Sequence, residues 1–344
     1  MMLVYTVIIL CVLIFVHELG HFGACKILNV RVMEFAIGIG PAFYKKQVGE
    51  TVYSLRVFPV GGFCAMENDD EEESESPESP EDSRAFGKKP VWVRAVVLSA
   101  GSVMNIALAI IVLSAIIFYG GTSLSTVINE VRDGSPAQAA GLLSGDRIIA
   151  VDGMEAAAWD DIVRLISGTP GDRLTVGIIR NGREMTIESN VTTTEDGRKV
   201  IGITPSVRRN MFTAIALGTR SSYDMLRNMI GILGQLFTGN VPASDLTGPV
   251  GIAYIVDDTV QYGMRPLLYL VSLISLNLAI INLLPFPALD GGRLLFLFIR
   301  KITGRAITDN LEARFHLVGM VLLLALMVFV TWNDIDKLIR GVLW

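Results

Sequence analysis

Two histidines and a glutamate near the start of the chain have the residue types and spacing of a metal-dependent hydrolytic site. His17 and His21 stand four positions apart, so a helix places both imidazoles on one face, where they can share one zinc ion. Glu18 lies beside them and can accept a proton from a water molecule that the metal activates. The motif ends a run of about sixteen nearly uncharged apolar residues, and ionisable groups inside a membrane usually mark function. We therefore predict one zinc ion, with Glu18 as the catalytic base.

Further polar residues follow the third long apolar run. Asp290 is the candidate for the third protein ligand that a catalytic zinc needs, although it could also be a helix-end aspartate. Asn282 could hold the extended backbone of a substrate, or it could form a helix–helix hydrogen bond. Pro285 and Pro287 prevent a regular helix, and broken backbone at membrane depth is tolerated where it lines a cavity. His316 could be a ligand, a residue that supports a ligand, or an interfacial residue.

The composition predicts a membrane protein. Of the 344 residues, 51% are hydrophobic, and the mean hydropathy is +0.51, above the ordinary soluble range. Nothing in the sequence indicates a nucleic-acid-binding surface, so the expected surroundings are a lipid bilayer. We predict an α-helical membrane protein with about four transmembrane helices, over about 2–21, 91–119, 266–284 and 315–331.

Charge predicts how the chain lies in the membrane. Residues 67–82 contain ten acidic and no basic residues, which indicates a solvated linker that accounts for the net charge of −5. Basic residues concentrate between spans one and two and between spans three and four. The positive-inside rule places those loops, and the predicted metal site, on the cytoplasmic side. We expect a multi-pass protein of the inner (plasma) membrane with residues 120–210 and both termini outside. The first apolar run lacks the features of a removed signal peptide, so we expect a retained span.

The external segment 120–206 has the pattern of a small α/β domain. Asn181-Gly182 predicts a hairpin turn between two strands, and a helix is expected over 157–166. The run from Gly134 to Gly153 resembles the PDZ family, whose members bind extended peptide ends by adding a strand. By this resemblance the ligand-binding strand would lie near 200–204. A spacer or steric filter without a peptide ligand is the alternative.

Taken together, these motifs resemble the site-2 protease family of intramembrane zinc proteases, in its bacterial branch with a single PDZ domain. Besides the zinc motif, the resemblance rests on the stretches 34–41, 51–56, 59–63, 100–105, 246–252 and 282–292. Ser102 departs from the proline that many members carry there. The resemblance implies zinc bound by His17, His21 and Asp290, and a membrane-associated β-hairpin that aligns the substrate as an added strand. It also implies substrate contacts at Gly38, Gly40, Asn282, Pro285 and Pro287.

The predicted division of the chain follows from these features. It runs 1–29 (first span), 30–66 (hairpin), 67–90 (acidic linker), 91–119 (second span), 120–206 (PDZ domain), 207–262 (amphipathic helix and connection), 263–292 (third span), 293–314 (cytoplasmic loop) and 315–344 (fourth span and tail). The function implied is peptide-bond hydrolysis in transmembrane segments of single-span substrates already trimmed by another protease, such as anti-sigma factors and remnant signal peptides. The alternatives are a non-catalytic membrane adaptor and a metal transporter; a transporter would show more spans and polar groups near mid-membrane.

Overall fold

The computed structural model describes residues 2–67, 84–194, 196–240, 247–303 and 309–341. The chain forms two compact units, Met1–Leu113 with Gly218–Trp344, and Ser114–Leu217. Within the described residues, four helices are long and apolar enough to cross a membrane: Val4–Ile27, Val91–Gly120, Met264–Leu283 and Glu312–Arg340. The predicted fold class is confirmed in its helical membrane part, its inserted α/β domain and its hairpin. Apart from Glu67, the predicted acidic linker 67–82 lies outside the described residues.

The elements follow one another along the chain with short connections. In order they are α1 (Met2–Ile27), β1 (Val32–Val48), β2 (Thr51–Met66), α2 (Val91–Gly120), β3 (Ser123–Val131), α3 (Pro136–Ala139), β4 (Arg147–Val151), β5 (Met154–Glu155), α4 (Trp159–Gly168), β6 (Arg173–Arg180), β7 (Arg183–Asn190), β8 (Thr192–Thr193), β9 (Lys199–Val200), β10 (Ile203–Arg208), α5 (Met211–Phe237), α6 (Pro249–Gln261), α7 (Met264–Leu283), α8 (Asp290–Thr303) and α9 (Asp309–Arg340). Helix α5 coincides with the stretch predicted to be amphipathic.

The hairpin β1–β2 is more than two simple strands. Residues 34–37 of β1 pair on one side with 52–55 and on the other with 62–65, because β2 turns back along β1. The first part of β1 is therefore the centre of a small three-stranded sheet. The carboxylate of Glu34 accepts hydrogen bonds from Ser54 and Arg56. Partial burial raises the pKa of Glu34, but these hydrogen bonds outweigh it and hold the pKa below its ordinary value.

Two helices in the first unit were not expected from the sequence. Helix α6 is only 13 residues long, too short to register as a membrane span. Its N-terminus is capped by buried Asp334 of α9, which accepts the backbone N–H of Gly248 at 3.2 Å and of Gly251 at 2.8 Å. Helix α8 occupies most of the segment 293–314, for which a connecting loop was predicted. It forms because its leucines pack into the core around Cys25 and Val97.

The second unit is built around one sheet. Its strands run in the order β10-β3-β4-β6-β7, and β5 pairs with the edge of β4. The predicted hairpin turn at Asn181-Gly182 joins β6 to β7, and both residues have positive φ, as that turn requires. Its core is apolar and is covered by α4, which contributes Trp159, Ile162 and Ile166.

Candidate metal centre

Three side chains from distant parts of the chain meet at one point. Asp290 Oδ2 lies 3.1 Å from His17 Nε2 and 3.3 Å from His21 Nε2. The two Nε2 atoms lie 3.2 Å from each other. Both histidines are buried, with about one-fifteenth of each residue exposed (6%). Within the described residues, this is the group of histidine, cysteine, aspartate or glutamate side chains that could hold a metal ion.

Helix α1 places the two histidines, and helix α2 packs against them with residues spaced four apart. His21 Nδ1 donates to the backbone oxygen of Val97 at 2.8 Å, which leaves Nε2 unprotonated and able to bind a metal. Gly101 lies directly over both rings: a Cβ there would be 2.5 Å from His21 Nε2 and 2.7 Å from His17 Nε2. Only glycine leaves the space that the rings occupy.

His17 is surrounded by two asparagine amides. Asn105, fully buried on α2, has Nδ2 at 3.4 Å from His17 Nδ1, and Asn282 on α7 has Nδ2 at 3.3 Å from His17 Nε2. The oxygen and nitrogen of an amide have nearly the same shape, so either asparagine can offer its oxygen after a half-turn. A histidine that binds metal through Nε2 needs such an acceptor for its Nδ1–H. Ser275 donates to the Asn105 backbone oxygen at 2.8 Å and fixes α2 against α7 here.

Glu18 lies beside the cluster and next to the hairpin. The backbone N–H of Cys64, in β2, hydrogen-bonds to its carboxylate. A Cβ on Gly62 would lie 3.5 Å from Glu18 Cγ, so the edge of β2 runs past this side chain. A cleft opens at this point, and it is lined by Ile14, His17, Glu18, Leu278, Asn282, Ala288, Leu289 and Asp290. The carboxylate thus faces the space where a substrate would have to lie.

Asp290 is delivered by the turn that joins α7 to α8. It is the first residue of α8, and Gly291 and Gly292 follow it. A Cβ at Gly291 would lie 2.2 Å from the Leu284 backbone oxygen, and one at Gly292 would lie 2.3 Å from that of Phe286. The two glycines therefore allow the turn to wrap closely around the start of α8 and to aim Asp290 at the histidines.

The remaining residues predicted to bind substrate lie away from the cluster. Pro285 and Pro287 lie in the turn before Asp290, and neither lines the cleft. Gly38 and Gly40 have φ of +90° and +93° and bend β1, also outside the cleft lining. His316 is not part of the metal-binding group; its Nδ1 accepts the Ala288 backbone N–H at 2.8 Å. Of the predicted substrate residues, the structure brings Asn282 alone into the cleft.

The donor set fits zinc. Two imidazole nitrogens and one carboxylate oxygen are a ligand set of catalytic zinc, which binds nitrogen at about 2.0–2.1 Å in tetrahedral geometry. Tetrahedral ligands at that radius lie about 3.3 Å apart, and the three edges observed are 3.1, 3.2 and 3.3 Å. The cleft lies on the side where Glu18 is found, which leaves room for a fourth position.

Several residues of the site escaped the sequence reasoning. Gly101 and Asn105 belong to a stretch that was noted only for its family resemblance, and their contacts with the histidines were not foreseen. A signal was present, because an asparagine four residues after a glycine in a long apolar helix is expensive in a membrane unless it has a partner. The approach of Gly62 and Cys64 to Glu18 carried no such signal, since it depends on how β2 turns back.

This geometry defines a membrane-embedded metalloenzyme. Residues 5–326 match the model of peptidase family M50. The chain therefore belongs to peptidase family M50, the site-2 protease family, as predicted, and it is a zinc metalloprotease and a multi-pass membrane protein.

Similar proteins match over nearly the whole chain. The regulator of sigma-W protease RasP of Bacillus subtilis is 31% identical, over 96% of this chain and 97% of its own. The zinc metalloprotease RasP of Shouchella clausii is 29% identical over the same shares. Among solved structures, the PDZ domain of the SdrC-like protein from Listeria monocytogenes covers 24% of this chain and 86% of its own, with 23% identity and a TM-score of 0.22.

Proposed function

We propose that this zinc metalloprotease cuts peptide bonds within the transmembrane segments of other membrane proteins. The observation that carries the proposal is the position of the site: His17, Glu18 and His21 lie on a helix that is apolar enough to span a membrane, and Asp290 meets them there. A protease that acted only on soluble chains would gain nothing from placing three ionisable groups on such a helix, where they are costly.

In this proposal His17, His21 and Asp290 hold the zinc, and Glu18 works on the proton. When bound, zinc supplies Lewis acidity to the scissile carbonyl and to a water molecule. The Glu18 carboxylate takes the proton from the attacking water and delivers it to the leaving amide nitrogen. The Cys64 N–H supports that role by orienting the carboxylate, and Val97 keeps His21 in the tautomer that a ligand needs.

Substrate binding is proposed to use the strand beside Glu18. A helical substrate must unwind before it is cut, because its peptide groups are hydrogen-bonded and hidden in the helix. An extended strand next to β2 would supply replacement hydrogen bonds. Asn282 lines the cleft and would contact the substrate backbone there. Gly38 and Gly40 would shape the hairpin by the bends they allow, and Pro285 and Pro287 would shape the turn.

The partners proposed are single-span membrane proteins that another protease has already shortened. The similar protein from Bacillus subtilis is named a regulator of sigma-W, which supports anti-sigma factors as one substrate class. The distribution of basic residues supports a site near the cytoplasmic side, with the inserted domain and both termini outside. The inserted domain would then restrict entry to trimmed substrates. Deleting residues 123–205 should permit cutting of the untrimmed substrate, and unchanged selectivity would contradict the filter.

Mapping the cleavage position tests the proposal. The full chain is reconstituted with a single-span model substrate whose outer portion has been shortened, and the products are identified by mass spectrometry. We expect a cut inside the apolar segment that disappears when a zinc chelator is added and returns with zinc. Cuts confined to the soluble flanks would contradict intramembrane action, even if they required zinc.

A further inference from the structure

We propose that His316 is a positioning residue that holds the turn carrying Asp290, so that this carboxylate reaches the zinc. The inference rests on the function proposed above and deepens it, because it assigns a role to the one histidine that does not belong to the metal-binding group. It is built from the backbone of the turn, the contacts of the His316 ring, and the packing of α9 against the turn.

The turn contains a residue in an unfavourable conformation two positions before the ligand. Ala288 has φ of +72°, in the left-handed region that residues with a side chain rarely adopt. Such a conformation persists when surrounding contacts hold it. Ala288 also lines the cleft, so a change in its backbone would alter both the direction of Asp290 and the wall of the substrate space.

His316 supplies the contact that holds Ala288. Its Nδ1 accepts the Ala288 backbone N–H at 2.8 Å, which fixes the neutral ring with its proton on Nε2. That nitrogen lies 3.7 Å from Glu312 Oε1, one turn earlier on α9. Glu312 in turn accepts from Arg300 of α8 at 2.6 Å. Both ends of α8 are thus linked to α9, the first through the Ala288 turn and the second through Arg300.

Helix α9 presents one more residue to the same turn. Gly319 lies three positions after His316 and therefore on the same face. A Cβ at Gly319 would lie 2.3 Å from Pro287 Cβ and 2.7 Å from the Pro287 backbone oxygen, so the turn is pressed against α9. The role of His316 follows from this arrangement: it gives the left-handed turn its hydrogen bond at the place where α9 supports it.

A pair of matched substitutions tests the role. In His316→Asn the amide oxygen sits on Cγ, close to the position of Nδ1, and can still accept the Ala288 N–H. In His316→Gln the amide is one carbon further out and cannot take that place. Both side chains are polar and uncharged, so the two variants differ mainly in where the acceptor lies. Val318→Ala is the control for substitutions on α9, since Val318 is 58% exposed.

The readouts are the zinc dissociation constant of the full-length protein, measured by competition with a chelator, and kcat and KM on the shortened substrate. We expect His316→Gln to weaken zinc binding about tenfold or more, the size of effect found when a group supporting a metal ligand is removed. With zinc saturating, its kcat should fall more than its KM changes. His316→Asn and Val318→Ala should stay within about threefold of wild type.

The outcomes separate this inference from the proposed function. Equal zinc affinity in His316→Asn and His316→Gln overturns the positioning role, and so does a fall in melting temperature alone. A wild-type protein that binds no zinc and cuts no substrate contradicts the proposed function itself, whatever the two variants do.

Discussion

Adding a single methyl group at Gly101 should remove zinc without removing a ligand. Gly101 lies on α2, where the rings of His17 and His21 pass over it. A Cβ built there lies 2.5 Å from His21 Nε2, and 2.6 and 2.7 Å from His17 Cε1 and Nε2, whereas ordinary contact begins at 3.4 Å. The Gly101→Ala variant can therefore fold only if the rings or the two helices move apart by most of an ångström.

That displacement exceeds what the metal tolerates. Ligand distances in zinc sites hold to about 0.2 Å, and the methyl group pushes on two of the three ligands at once. Changes beside metal ligands weaken binding by about 10–100-fold, and we expect the upper end here, about 100-fold or about 2.8 kcal/mol. Helix propensity acts in the opposite direction, because alanine is favoured over glycine by about 1 kcal/mol in a helix.

The assay is chelator competition on purified full-length protein, with the melting temperature of the metal-free form measured beside it. The matched control is Gly23→Ala, because Gly23 lies on α1 close to His21 and a Cβ there meets nothing within 4 Å. The control should bind zinc like wild type and be equally or more stable. The reasoning is refuted if Gly101→Ala keeps its zinc affinity within about threefold of wild type.

Three further predictions follow from buried polar contacts. Asn105→Leu should weaken zinc binding about tenfold, because His17 loses a partner for Nδ1; unchanged affinity in the same chelator assay would contradict this. Asp334→Leu should lower the free energy of unfolding by about 2 kcal/mol or more, since two backbone N–H groups of α6 lose their acceptor; denaturant unfolding in detergent measures it, and an unchanged midpoint would count against the cap. Burial raises the pKa of Asp146, but the Arg180 hydrogen bonds outweigh it and lower the pKa, so its contribution to stability is present above about pH 4 and is lost as the pH falls further. Asp146→Asn should flatten that acid dependence in thermal unfolding, and a curve parallel to wild type would contradict the assignment.

Much of the site could be predicted from the sequence because it follows from helical geometry. The spacing of His17 and His21 fixes their common face, and the basic loops put Asp290 near the same end of the bundle. Both arguments use local pattern and membrane topology, which a sequence displays directly. The same holds for the four spans and for the Asn181-Gly182 turn, whose positive φ values are those its residue types predict.

The rest could not be predicted because it depends on tertiary contacts. Ala288 adopts a left-handed conformation that no glycine or asparagine announces, and its support comes from His316, whose role the sequence left open. Helix α6 is short and is anchored by Asp334, more than eighty residues away in the chain. The return of β2 beside Glu18 likewise arises from pairing on both sides of β1, which the alternation of residue types does not specify.

The most direct test of the account compares wild type with Glu18→Gln. A single-span, shortened model substrate is incubated with each purified protein, and bound zinc is quantified in both. The account predicts about one zinc per chain in each protein, from the three ligands at His17, His21 and Asp290, and cleavage by wild type alone. Cleavage by Glu18→Gln at the wild-type rate, or loss of zinc from that variant, would contradict the assignment of Glu18 to proton transfer.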